Sequence, residues 1–127
     1  MSIRPVARGL HVCEMLVTEK GTNNVSLINA FSRRHVGAFP SVPQRFGVYS
    51  LLSGGLGAVT MKVQVSRIED PDFVYERSMV VVFEDRVQEV QFVLRLSDVV
   101  FPKPGQYSVV LSADGEWIAE TRLKVTA

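Results

Sequence analysis

The tightest constraint on this fold lies in residues 101–117, Phe-Pro-Lys-Pro-Gly-Gln-Tyr-Ser-Val-Val-Leu-Ser-Ala-Asp-Gly-Glu-Trp. Pro104-Gly105 turns the chain into an alternating stretch. Asp114-Gly115 then supplies the two positive-φ positions of a type I′ turn, whose twist matches antiparallel strands and folds one back on the next. A chain that closes on such a hairpin is predicted to be all-β, an immunoglobulin-like antiparallel β-sandwich.

Upstream, extended segments recur with turn signals about every 8–12 residues, the spacing of sandwich strands. They are expected near residues 10–18, 25–31, 46–52, 59–66, 73–83, 90–96, 106–113 and 117–125, within a single domain over 1–127. That makes about seven to nine strands. The cleanest pattern sets Val59, Met61, Val63 and Val65 against Thr60, Lys62, Gln64 and Ser66. Period two means one dry face and one wet face. In the last segment Leu123 and Val125 share a face with Trp117 while Ile118 falls opposite. A bulge near Ala119 or an outward-facing Ile118 accommodates that shift. With no sustained 3.6-residue period, helix is confined to a turn near 97–100 or 32–37.

Hydrophobic residues make up 46% of the chain and charged residues 21%, a globular balance. The mean hydropathy of +0.16 is high for a freely soluble protein and leaves room for a covering partner. A net charge of +1, from 14 basic and 13 acidic residues, provides no field to gather nucleic acid or an anionic membrane. Cys13 is the single cysteine, so an intrachain disulfide is excluded. The opening Met-Ser-Ile-Arg-Pro-Val-Ala-Arg-Gly lacks a signal-peptide core, and no apolar run is long enough to span a bilayer. The expected setting is the cytoplasm.

Reactive chemistry is sparse. Cys13 lies two residues after His11, so on a strand they share a face, with Glu14 and His35 as further candidates for a nucleophilic or zinc site. Their spacing matches no zinc motif, and free cysteine commonly acts as a small buried hydrophobe. Glu69, Asp70 and Asp72 with Glu84 and Asp85 form two acidic loops that could gather calcium, although Asp-Pro-Asp also spells an ordinary turn. Gly54-Gly55-Leu56-Gly57 resembles a phosphate loop, but a period-two strand follows it and no Gly-Lys-Ser/Thr is present. These glycines are expected to permit positive φ between strands. Arg33-Arg34-His35 could contact an anion but is expected to be a solvated basic turn. No catalytic residue, metal or cofactor is expected.

The remaining signal is surplus apolar surface. Met79, Val80, Val81, Val82 and Phe83 are apolar on both faces of one strand, whereas a two-layer sandwich dries only one. A loop over residues 33–44, a second subunit or a partner protein is expected to cover the other side. Val99, Val100 and Phe101 are candidates for the same patch. The function expected is a non-enzymatic interaction or structural module acting by homo-oligomerisation or protein docking. The alternative is a small-ligand or carbohydrate-binding module with Tyr49, Tyr75 or Trp117 as a stacking platform.

Several segments taken in order carry a family resemblance: Val12-Cys13-Glu14, residues 21–31 with Ala38-Phe39-Pro40, Phe46-Gly47-Val48-Tyr49, Gly54-Gly55, residues 101–107, and Asp114-Gly115. Together they resemble an uncharacterised bacterial family of short single-domain β-sandwich proteins, a domain of unknown function. The resemblance covers most of the chain. It implies the fold and carries over no catalytic or binding residue.

Overall fold

A computed structural model of the chain describes residues 2–70 and 73–127. Among the described residues there are nine strands and no helix: β1 (Val6–Thr18), β2 (Val25–Ala30), β3 (Arg33–His35), β4 (Gln44–Ser53), β5 (Gly57–Arg67), β6 (Phe73–Phe83), β7 (Glu89–Val99), β8 (Gly105–Ala113) and β9 (Glu116–Thr126). They form two packed sheets, ordered β2-β1-β4-β7 and β3-β9-β8-β5-β6. Neither candidate helical turn forms. Residues 33–35 pair in parallel with Lys124, Val125 and Thr126 of β9, and 97–99 finish β7. Available strand partners outweigh the local turn signal there.

The alternation in β5 orders the interior. Val59, Met61, Val63 and Val65 are fully buried, facing Val48 and Leu52 of β4 and Phe92, Leu94 and Leu96 of β7 within one core cluster. β8 lies between β5 and β9, so both its edges are hydrogen-bonded. Tyr107, Val109, Leu111 and Ala113 of β8 complete the core. The Tyr107 hydroxyl donates to the Lys103 carbonyl just upstream, a tyrosine corner that pins the proline-rich turn to its strand. The Phe101 ring meets Tyr107 edge-on at 5.0 Å and stacks on Phe46 at 6.3 Å.

Asp114 and Gly115 take φ values of 47° and 86°, as a type I′ turn demands. Directly after this turn, the β8–β9 register slips between Leu111/Ala119 and Ser112/Trp117, leaving Ile118 as the extra residue of a bulge. Ala119, Leu123 and Val125 stay inward, but Trp117 moves to the opposite face and is 68% exposed. The bulge thus resolves the pattern shift, and it overturns the expectation that Trp117 shares the core face of Leu123 and Val125.

Gly54 and Gly57 adopt positive φ, 77° and 79°, between β4 and β5. Gly55 serves a different purpose, because a Cβ there would stand 2.9 Å from the Phe83 ring. Phe83 is fully buried over this bare backbone. Gly55→Ala is expected to cost about 1–3 kcal/mol through forced displacement of the ring. The cost would be read as a lower urea midpoint with an unchanged denaturant slope; an unaltered midpoint would show that the ring can yield freely.

Candidate functional site

The four sheet edges are not equally defended. β3 is three residues long and basic, and β2 is six residues long with Asn29 in the left-handed region at φ 54°. Every fully exposed side chain of β7 is polar: Glu89, Gln91, Arg95, Ser97 and Asp98. β6 differs. It runs eleven residues without proline, and its pairing with β5 is unbroken from Gly57↔Phe83 to Val65↔Tyr75, beyond which the register slips by one residue at Val74. Short length, charge, proline and bulges are what normally blunt an edge against another chain.

Val80 and Val82 lie opposite Thr60 and Ala58, on the outward face of the five-stranded sheet, with relative exposures of 62% and 59%. Met79 faces inward beside Met61, yet at the sheet margin it remains 40% exposed. Val81 is half-buried and packs on the core. The cross-strand row Ser78–Lys62–Ser112–Trp117 puts Trp117 on the same outward face, three strand spacings from β6 or about 14 Å.

Three of the expected contact residues lie elsewhere. Phe83 and Phe101 are in the core, not on the surface. Phe83 is held over Gly55. Phe101 is bracketed by Ser41, whose N–H donates to the Phe101 carbonyl and whose Oγ accepts from the Phe101 N–H, both at 2.9 Å. Val100 is 38% exposed, but β6 begins at the end of the sandwich that holds the Pro104-Gly105 turn and runs away from it. Asp98 already sits against Tyr75 near the start of that strand, leaving Val100 about 20 Å from Val82. The segment expected to cover β6 also goes to the wrong side. Its β3 portion pairs with β9 at the far edge of the sheet, and Ser41 seals Phe101. Local patterning marked the two-faced strand, whereas the outward face of Trp117 was missed because a one-residue bulge inverts it; the pattern shift at Ile118 was the available clue.

The other candidates do not converge. His11 is exposed and opposite Tyr49, while Cys13 is buried opposite Gly47 and its thiol donates to the Met15 carbonyl at 3.3 Å. His35, in the other sheet, bonds Thr126 Oγ1 at 2.6 Å. Arg34 lies over the Phe31 ring, 4.9 Å from its centroid. Glu69 and Asp70 sit at the opposite end of β6 from Glu84 and Asp85, roughly 30 Å of extended strand apart. Asp72 lies outside the described residues. Tyr49 donates to Gln91 on the outward face of the four-stranded sheet, Tyr75 packs on the core and Trp117 is on the other sheet's outward face. They form no common platform. A groove of about 390 Å³ opens where β1 leaves β4 beyond Cys13↔Gly47, and Arg95 spans it by donating to the Leu16 carbonyl at 2.9 Å.

Burial pushes the Cys13 thiol above its ordinary pKa, against weaker opposing hydrogen bonds from the backbone, and burial likewise raises the Tyr75 and Tyr107 phenols. Each group ionises more readily when unfolded. Their contribution to stability is therefore complete below about pH 8.5 and is lost as pH rises, the thiol first and the phenols above about pH 10. Melting curves from pH 7 to 11 are expected to show that decline, and Cys13→Ala should flatten its first part while lowering the whole curve. Native Cys13 should resist thiol reagents that label it in urea. Rapid labelling without denaturant would contradict its burial.

Among the described residues, no helix is long and apolar enough to cross a membrane. No curated protein matches the chain. Among solved structures, the crystal structure of a β-glucosidase from Listeria innocua in complex with isofagomine is similar at 11% identity and a TM-score of 0.47, over 95% of this chain and 16% of that one. So small a share of a much longer enzyme, at that score, carries no argument about activity. A family model, by contrast, matches residues 10–126, nearly the whole chain. The protein belongs to DUF6941, a family of unknown function.

Proposed function

We propose that this chain is a non-enzymatic interaction module, an immunoglobulin-like sandwich that docks on protein through the free edge of β6. The observation that carries this is an edge strand that pairs without interruption from Tyr75 to Phe83 and leaves Val80 and Val82 exposed beside it. The tyrosine corner at Tyr107 supports the immunoglobulin-like assignment.

Magnitudes indicate how such a surface would work. Burying what remains exposed of Met79, Val80 and Val82 is worth on the order of 3 kcal/mol. Association costs at least several kcal/mol in lost freedom and ordering. The apolar side chains therefore cannot hold a partner alone, and main-chain hydrogen bonding along the strand has to supply the rest. Strand addition does this: the ladder provides affinity and the side chains on either face provide selection.

A photo-crosslinking residue at Val80, introduced in the cells that naturally make the chain, is expected to trap a discrete protein adduct. The same residue at Arg33, on the opposite sheet edge, should trap none. Val80→Glu/Val82→Glu should abolish an adduct formed from a probe at Ser78 while leaving the melting temperature within a few degrees, since both valines face water. No adduct from any β6 position would refute the docking edge.

A further inference from the structure

The geometry points to a hinged lid on the four-stranded sheet: the β1–β2 arm, residues 13–30, closes over the sheet's outward face and rocks open about Glu14 and Asn29. The lid is independent of the β6 edge. Side-chain parity reveals where the arm lies. Cys13 and Leu16 sit at odd and even positions, so on a flat strand they point to opposite faces. Both nevertheless close on Gly47, where an added Cβ would stand 2.6 Å from Leu16 Cδ1 and 3.4 Å from the Cys13 sulfur. Gly47 falls between the core residues Phe46 and Val48, so that Cβ position faces outward. β1 therefore bends sharply between Cys13 and Leu16. The ladder marks the hinge: β1–β2 pairing steps from Cys13↔Ala30 to Met15↔Ile28 without Glu14 and Asn29, and Asn29 holds a φ of 54°.

Beyond the bend the arm is held to the sheet by side chains. Among the described residues, β2 pairs with β1 alone, no other strand pairs with β1 past Cys13, and the Phe31 N–H donates to the Val12 carbonyl at the base. Two residues of β7 tie the arm down. Arg95 donates to the Leu16 carbonyl at 2.9 Å, and Gln91 Nε2 donates to the Asn23 carbonyl, at the hairpin tip, at 2.6 Å. Gln91 is itself positioned by the Tyr49 hydroxyl, which donates to its Oε1 at 2.9 Å. Leu16, buried over the bare backbone of Gly47, supplies the apolar seat. A two-stranded hairpin is marginally stable by itself, and a segment tied down by so few groups opens locally well before the whole domain unfolds. The groove of about 390 Å³ beside Met15, Leu16, Arg45 and Arg95 is the gap the closed lid leaves. Lifting the arm widens that groove, frees the Arg95 guanidinium from its carbonyl and bares the Cys13 thiol.

Cys13, the single cysteine, serves as the reporter of opening. Labelling of the folded chain by a small thiol reagent is expected to be slow, at a rate nearly independent of urea below the unfolding transition. Arg95→Ala and Gln91→Ala each remove one tether and should raise that rate about five- to tenfold, with the melting temperature within a few degrees. Glu89→Ala, on the same face of β7 but paired with Arg8, should leave the rate unchanged. Labelling with the full urea dependence of global unfolding would overturn the lid, and so would tether variants that label at the wild-type rate. Equal acceleration by Glu89→Ala would also overturn it, since the whole sheet would then be loosening.

Discussion

The burial of β8 on both faces is the constraint from which the rest of this structure follows. From Tyr107 to Ala113 every side chain is buried, odd positions in the core and even positions beneath the neighbouring strands' side chains. Ser108, for instance, is covered by its hydrogen bond to Glu120 of β9. With β8 held centrally, β5 and β9 have to flank it, and β6 and β3 are left as the margins of the five-stranded sheet. The tyrosine corner fixes where that central strand begins, and the Asp114-Gly115 turn fixes where it ends.

A comparison within the sheet shows why position outweighs pattern. Val110 of β8 and Val80 of β6 both point away from the core. Val110 is 3% exposed, with paired strands on both sides at Gln64 and Glu120; Val80, at the margin, has a neighbour on one side only and is 62% exposed. Identical residues in similar alternation therefore differ by what stands next to them. An apolar outward residue stays exposed where the sheet stops, as it does at β6. The sheet's other margin, β3, avoids that liability by being short and cationic.

The chemistry-bearing side chains have structural work. Cys13 fills a dry position opposite a glycine, Arg95 bridges the gap where β1 departs from β4, Arg34 lies on Phe31, and His35 ties β3 to the end of β9. Even Gly55, which looks in sequence like part of a nucleotide loop, exists as bare backbone so that Phe83 can lie against it.

The all-β class, the strand segments and the closing hairpin were legible from local chemistry, because period-two alternation and the φ demands of Asp-Gly act within a few residues. So was the two-faced character of the segment from Met79 to Phe83. Strand order was not legible. Whether a strand is central or marginal depends on partners dozens of residues away, and this decided that residues 33–35 cap β9 and leave β6 uncovered, that Val100 falls at the far end of β6, and that Phe83 and Phe101 belong to the interior. The outward turn of Trp117 was beyond reach for a related reason: a single unpaired residue in a ladder reverses the face of everything past it, and only the partner strand reveals where the slip occurs.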